Sequence, residues 1–186
     1  MALDAAAMHG AARSGLGAAA VGGKIFVLGG HSGEAPLRLR EEFEPGPDID
    51  SPGRWRTLAP MLARRTYCTA CAIDDTVYVI GGSADGRALN SFEMFHAETG
   101  EQTMWFEKPP MHIKRTMHAS VVCRGRIIVA GGFDGMRDLQ RVEEFDMKTN
   151  AWRWGSYLEQ CRSFFAMAAV GEEAFVIGGQ DRRATE

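Results

Sequence analysis

The most restrictive feature of this sequence is a short apolar run that ends in two glycines and occurs four times. The copies read IFVLGG, VYVIGG, IIVAGG and AFVIGG, and their second glycines lie 52, 50 and 47 residues apart. A period near 50 residues built on short apolar segments is typical of a repeat protein, so the repeat dominates the fold prediction. The pairs are Gly29-Gly30, Gly81-Gly82, Gly131-Gly132 and Gly178-Gly179.

Other residue types recur at fixed distances from the glycine pair. An arginine stands 16 residues before the first glycine of every copy, and a hydroxyl residue follows it. A phenylalanine stands 13 residues after the second glycine in the first three copies, two residues after a glutamate, and a tryptophan comes later. These columns are Arg13-Ser14, Arg65-Thr66, Arg115-Thr116 and Arg162-Ser163; Phe43, Phe95 and Phe145; and Trp55, Trp105 and Trp152.

Each unit predicts four short strands. Two turn-forming residues, such as Gly22-Gly23 or Asp74-Asp75, separate a small-residue segment from the apolar run, which favours a β-hairpin. The Glu-x-Phe segment predicts a third strand, since residues two apart share a face, and the tryptophan segment predicts a fourth. The unbroken apolar run requires burial on both faces of the sheet. Radial stacking of such sheets is a β-propeller.

These columns resemble the kelch repeat. The double glycine, the aromatic residue after a glutamate, the later tryptophan and the segment LAPM at 58–61 carry the likeness over nearly the whole chain. Phenylalanine stands where that family usually has tyrosine. The resemblance implies an all-β fold of kelch-type blades in one partial propeller over 1–186, with repeats at about 11–62, 63–112 and 113–159 and a half repeat at 160–186.

The resemblance also implies a function, a protein–protein interaction module similar to the propeller of BTB-kelch adaptors. The narrower version is the substrate-recognition part of a cullin-type ubiquitin ligase adaptor, and an actin or cytoskeletal scaffold is an alternative. A kelch-type enzyme such as a metal-dependent oxidase is disfavoured, because no Tyr/His/Cys metal motif is present. We therefore expect no enzymatic activity and no cofactor.

Three and a half units fall short of the roughly four to eight blades that close a propeller. An incomplete propeller leaves apolar blade faces and strand edges open, so we expect self-association through its ends. Two interpretations remain, and the first is favoured: a fragment or shortened gene product, or a half propeller that assembles with another chain.

Charge and composition narrow the classes of partner. The net charge is −3, with 21 basic and 24 acidic residues interspersed, so no basic stripe favours nucleic acid. No apolar run approaches the about 20 residues that a membrane helix needs. Four cysteines without a secretion signal predict reduced thiols in a cytoplasmic protein, with a nuclear location also compatible. Cys68 and Cys71 are three residues apart on a strand, so they point to opposite faces and cannot chelate one metal.

The arginine column predicts the partner-binding site. Each arginine precedes an innermost strand, so the four would form a ring around one mouth of the channel, with the hydroxyl residues beside them. Arginine suits forked recognition of carboxylates, and the resemblance to ligase adaptors implies a grip on acidic or phosphorylated peptides. The alternative is that each arginine satisfies carbonyls between blades. The loops after the glycine pairs would add His31, Ser83, Phe133 and Gln180 to the same face.

Overall fold

A computed structural model describes residues 12–48, 51–98 and 104–181 of the chain. Within these ranges the chain forms three four-stranded antiparallel sheets, one two-stranded sheet and a small hairpin. The first sheet has the order β1 (Gly17–Val21), β2 (Lys24–Leu28), β3 (Arg40–Glu44) and β4 (Arg54–Leu58). No helix in the described ranges has the length and hydropathy that a bilayer crossing requires.

The second and third sheets repeat this order. The second contains β5 (Thr69–Ile73), β6 (Thr76–Ile80), β9 (Phe92–His96) and β10 (Phe106–Lys108), with the hairpin β7 (Ser83–Ala84) and β8 (Arg87–Ala88) inserted after β6. The third contains β11 (Ala119–Cys123), β12 (Arg126–Ala130), β13 (Arg141–Asp146) and β14 (Ala151–Tyr157). The last sheet has two strands, β15 (Ala166–Val170) and β16 (Glu173–Ile177).

The two-residue turns set the register of every first hairpin. Val21 pairs with Lys24, Ile73 with Thr76, Cys123 with Arg126 and Val170 with Glu173. The first turn residue is left-handed in each, with φ of 60° at Gly22, 49° at Asp74, 53° at Arg124 and 59° at Gly171. A left-handed turn matches the twist of the paired strands, so the chain reverses without splaying them.

The sheets stack through their faces, with one edge strand of each along the inside. β1 contacts β5, β5 contacts β11, and β11 contacts β15. Val77 and Val79 of β6 pack toward the first sheet, whereas Tyr78 and Ile80 pack toward the third. This alternation explains the unbroken apolar run, because both faces of the strand are buried. The arrangement confirms the predicted all-β propeller blades, and the described blades do not close a ring.

The aromatic columns fill the spaces between blades. Phe95 and Phe145 are fully buried and contact Trp105 and Trp152 at centroid distances of 4.7 Å and 5.2 Å. The Trp152 indole also donates to the carbonyl of Pro109 at 2.7 Å. Strand β10 begins one residue after Trp105, whereas Trp55 and Trp152 are the second residues of β4 and β14.

In the first blade the aromatic pair remains partly exposed. Phe43 and Trp55 lie 5.0 Å apart and are only half-buried, on the face that points away from the second sheet. At the other end of the stack, Val170, Phe175 and Ile177 of the two-stranded sheet are 68%, 46% and 59% exposed. The described blades therefore present an apolar face at each end.

Candidate functional site

The arginine column lies inside the blades. The side chains of Arg65 and Arg115 are fully buried. Arg115 donates to the carbonyls of Gly131 at 2.8 Å and Arg141 at 3.0 Å, and its other terminal nitrogen donates to Glu143 at 2.7 Å. Arg65 makes the equivalent set with the carbonyls of Gly81 and Ser91 and with Glu93. Each guanidinium thus ties the second and third strands of its own blade.

The glutamate of each pair holds the connection from the previous blade. Glu143 accepts hydrogen bonds from the backbone N–H groups of His112 and Ile113 at 2.7 Å and 3.2 Å. Glu93 accepts from Leu62 and Ala63 at 2.8 Å and 3.1 Å. Both glutamates thus accept hydrogen bonds from backbone N–H groups and from an arginine. Because a buried carboxylate is stable only when paired, the column fixes how each blade is joined to the next.

The first and last arginines make fewer contacts. Arg13 donates to Glu41 at 2.6 Å, with both side chains inaccessible to solvent. Arg162 donates to the carbonyl of Gly178 at 2.9 Å and stays partly exposed, and no glutamate of its own half unit faces it among the described residues.

These positions change the expectation of an arginine ring at the channel mouth. Arg65 and Arg115 present no guanidinium surface to a partner, since both side chains are buried and their terminal nitrogens donate to carbonyl and carboxylate oxygens. The acceptors lie in the arginine's own blade, whereas the alternative interpretation placed them between blades. Burial also lowers the pKa of Arg115, and the neighbouring Glu143 carboxylate opposes that change.

The glycine pairs allow the close approach of the next blade. Gly81 and Gly82 have φ of 55° and 96°, and the N–H of Gly82 donates to the carbonyl of Arg115 at 2.9 Å. A Cβ at Gly81 would lie 2.7 Å from that same carbonyl oxygen. Gly131 is equally crowded, because its Cβ would lie 2.6 Å from the carbonyl of Arg162. A side chain at either position would therefore collide with the backbone of the next blade.

The remaining predicted binding residues are brought together in pairs. Each hydroxyl residue after an arginine forms an antiparallel bridge with the first residue after the glycine pair of the same blade. Ser14 and Gln180 are exposed, and His31, Ser83 and Phe133 are half-buried, whereas Thr66, Thr116 and Ser163 are buried. The pairs are Ser14 with His31, Thr66 with Ser83, Thr116 with Phe133, and Ser163 with Gln180.

The residue after each hydroxyl forms a feature that sequence reasoning missed. Gly15, Tyr67, Met117 and Phe164 all have left-handed backbones, with φ between 51° and 63°. The N–H of Tyr67 donates to Gly15, that of Met117 to Tyr67, and that of Phe164 to Met117. The Tyr67 and Phe164 rings meet edge to face at 5.7 Å. Glycine at position 15 was the sole signal of this geometry in the column, because the other three residues are ordinary.

We call Gly15, Tyr67, Met117 and Phe164 the central ring. Its three backbone hydrogen bonds join the four described blades in an open series along the inner strands. Phe164 is 48% exposed and Tyr67 is half-buried, so aromatic surface is presented to solvent at the mouth. Left-handed non-glycine residues cost free energy and persist where the surrounding structure holds them. The ring is therefore a rigid platform.

Comparison with known proteins identifies the repeat. The profile described as KLHDC2/KLHL20/DRC7 Kelch-repeats domain matches residues 52–179, and the Kelch motif matches residues 12–40. This chain belongs to the kelch repeat family. Human Kelch-like protein 35 is 31% identical over 156 residues, which cover 83% of this chain and 25% of the relative.

Other kelch relatives match over similar lengths. Kelch-like protein 36 of Rattus norvegicus is 26% identical over 170 residues, covering 88% of this chain and 26% of the relative. Human Kelch-like protein 23 is 26% identical over 179 residues, covering 73% of this chain and 31% of the relative. The chain thus spans between 25% and 31% of the length of these curated relatives.

Three side chains that could ionise, those of His118, Cys68 and Cys71, are buried in the kelch blades. Burial, reinforced by the positive charges of Arg115 and Arg65, lowers the pKa of His118 to about 3, and its Nε2 lies 3.1 Å from the Thr69 hydroxyl. Burial raises the pKa of Cys71 to about 12, and Cys68 and Cys71 belong to different core clusters, as their spacing predicts. Among the described residues, no three His, Cys, Asp or Glu side chains are grouped to hold a metal ion.

Exposed basic residues lie on the same face of the kelch blades as the central ring. Arg64 and Lys114 directly precede the buried arginines, and Arg87 lies in the β7–β8 hairpin. The side chains of all three are exposed. We call the ends of the blades that carry these residues, the central ring and the loops after the glycine pairs the loop face. The positive charge available to a partner here thus comes from neighbours of the predicted arginines.

Proposed function

We propose that this kelch module binds a partner protein through its loop face. The observation that carries the proposal is the central ring, in which hydrogen-bonded backbone holds Tyr67 and Phe164 in fixed positions at the mouth. Rigid, partly exposed aromatic side chains supply large contact area at low entropic cost and are enriched among the residues that dominate interface energies.

The proposal includes an acidic segment on the partner. Arg64 and Lys114 each lie three residues before a central-ring residue, and with Arg87 they place exposed positive charge on the loop face, which also carries Asp85 and Asp134. Exposed positive charge beside a binding surface attracts acidic groups of a partner and makes association dependent on salt. The guanidinium groups of Arg65 and Arg115 support the platform from below.

The test is quantitative binding with matched variants. A partner captured by the chain from cell extract is identified, purified and titrated at low and high salt. We expect Phe164→Ala and the double variant Arg64→Glu/Arg87→Glu to weaken binding about tenfold or more, which corresponds to about 1.4 kcal/mol. Lys148→Glu, in the exposed turn between β13 and β14 at the opposite end of the blade, is the control. Equal affinity in all four proteins would overturn the proposal.

The narrower proposal is substrate recognition for a cullin-type ubiquitin ligase. Its support is the likeness to three Kelch-like proteins, of which this chain matches a quarter to a third. It predicts that the captured partner is ubiquitylated in cells that contain the wild-type chain in its full-length context. The Arg64→Glu/Arg87→Glu variant should reduce that ubiquitylation. If the partner binds the chain but its ubiquitylation is the same with the wild-type chain and with the variant, the ligase role is wrong and the binding role still stands.

A further inference from the structure

The outer part of the third blade carries a side-chain cluster that the central ring does not involve. The guanidinium carbon of Arg141 lies 4.7 Å from the ring centroid of Trp154 and 4.1 Å from that of Tyr157. The His112 ring stacks on Trp154 at 4.4 Å, with 26° between the planes. We call these four residues the outer cluster. Trp154 and Tyr157 are 47% and 58% exposed.

A β-bulge places the two aromatic residues of the outer cluster on one face. Arg141 pairs with Tyr157 and Glu143 pairs with Trp154, so β14 has one more residue than β13 between these two pairs. Without the bulge, residues 154 and 157 would point to opposite faces because their separation is odd. The bulge therefore allows both aromatic side chains to contact Arg141.

The repeat itself does not require these residues. The position of Arg141, ten residues after the first glycine of its pair, is Leu39 and Ser91 in the earlier units. Trp154, two residues after the repeat tryptophan, replaces Thr57 and Glu107. Tyr157, five residues after it, replaces Pro60 and Pro110. Since the first two blades form without such a cluster, blade packing does not account for it.

The guanidinium of Arg141 is held in place with its hydrogen-bonding edge unused. In the described part of the chain its nitrogens donate to no acceptor, and its contacts are the two aromatic rings. It lines a cleft of about 320 Å³ whose wall also includes Arg137, Gln140, Tyr157 and the carboxylate of Asp138, and Asp138 is buried. Arg137 stands on the rim, 65% exposed, with Asp134 at 3.6 Å.

We propose that the outer cluster is a binding site for a carboxylate side chain of a partner peptide. Arg141 holds the carboxylate through paired N–H donors, and a neighbouring apolar side chain of the peptide packs on Tyr157. Aromatic rings on a guanidinium reduce its freedom, so less entropy is lost when the fork binds an oxyanion. The site lies on β13 and β14 at the outside of the blade, and the proposal does not rest on the central ring.

The test uses two peptides that differ in one charge. The ¹⁵N-labelled chain is titrated with Ac-Gly-Glu-Phe-Gly-NH2 and with Ac-Gly-Gln-Phe-Gly-NH2 while the Arg141 Nε–H and Trp154 indole N–H resonances are followed. We expect saturable shifts of both resonances with the glutamate peptide and at least tenfold weaker binding of the glutamine peptide. Equal affinities for the two peptides, or shifts confined to residues of the central ring, would overturn the proposal. The titration of the wild-type chain is sufficient for this test.

Variants then locate the charge that binds. Arg141→Gln should weaken binding of the glutamate peptide at least tenfold. Tyr157→Leu should weaken it about fivefold, because the aromatic ring that holds the Arg141 guanidinium is lost. Arg153→Gln is the matched control, since Arg153 is also on β14 but pairs with Glu144 on the other face. Unchanged binding in a folded Arg141→Gln chain would overturn the site. A phosphoserine peptide that binds tenfold tighter than the glutamate peptide would overturn the assignment to a carboxylate.

Discussion

At the scale of single residues, position in the repeat decides what an arginine contributes. Arg115 and Arg162 occupy the same column, yet one is fully buried against Glu143 and the other is partly exposed beside a carbonyl. A buried charge that loses its partner is costly, whereas a partly exposed donor is replaced by water. The same residue type therefore has two different energetic roles.

Arg115→Met tests this difference. Removing the guanidinium leaves the Glu143 carboxylate buried with one charge partner fewer, so we expect a loss of about 3–5 kcal/mol in the free energy of unfolding. Arg162→Met, in the same column, should cost about 1 kcal/mol. Urea denaturation followed by tryptophan fluorescence measures both. Similar losses in the two variants would contradict the assignment of Arg115 as the buried structural member.

His118 predicts a dependence of stability on pH. Its folded-state pKa is about 3, below the ordinary 6.5, so the unfolded chain binds the proton first as pH falls. The stability is fully present above pH 6.5 and is lost as pH falls toward 3, by about 1.4 kcal/mol per unit. Thermal melts of wild type and His118→Gln between pH 7 and pH 4 check this. The glutamine variant should show the flatter curve, and parallel curves would contradict the prediction.

At the scale of the element, the glycine pair joins one strand to the next blade. Gly81 is left-handed and in contact with a backbone carbonyl of the neighbouring blade. Gly178 is also left-handed, but a Cβ added there would meet no described atom within 4 Å. Comparing Gly81 with Gly178 therefore separates two reasons for glycine: a left-handed backbone, which both positions have, and crowding by the next blade, which Gly81 alone of the two shows.

Gly81→Ala should therefore be more damaging than Gly178→Ala. The left-handed backbone costs each alanine about 1–2 kcal/mol, and the contact of 2.7 Å with the Arg115 carbonyl adds to the cost at Gly81. We expect a total of about 2–4 kcal/mol there. Chemical denaturation of the two variants measures the difference. Equal destabilisation would show that conformation alone accounts for the glycine.

At the scale of the whole molecule, the stack of blades ends in apolar surface on both sides. Ile25 is 41% exposed on the first blade, and Phe175 and Ile177 are 46% and 59% exposed on the last sheet. Apolar area left in water favours contact with another such face at about 25 cal/mol per Å² buried. The expectation of self-association thus has a defined surface, and it stays a prediction.

The double variant Phe175→Ser/Ile177→Lys tests that surface. We expect sedimentation velocity of this chain to show association that grows with concentration and that the variant reduces. Met136→Lys is the control, because Met136 is 91% exposed in a loop away from both end faces. Undiminished association of the double variant, or equal reduction by the control, would place the contact elsewhere.

The repeat was sufficient to predict the blades. A four-fold column of apolar residues and glycine pairs constrains local backbone and burial together: Phe145 and Trp152 lie in a core cluster, and a Cβ at Gly131 would meet the backbone of the next blade. Unit boundaries, cellular location and the binding role of the loop residues stay predictions. The repeat constrains these properties less than it constrains the blades, because loop and surface residues differ between units.

Which recurring residues are available to a partner depends on how the strands and blades pack. Whether Arg65 faces solvent or Glu93 depends on two strands that lie far apart in sequence, and the pairing buries it completely. The left-handed backbone of Tyr67 and Met117 likewise follows from hydrogen bonds between blades. The bulge that brings Tyr157 to Arg141 depends on strand register. A column in a repeat identifies equivalent positions, whereas packing sets the environment of each.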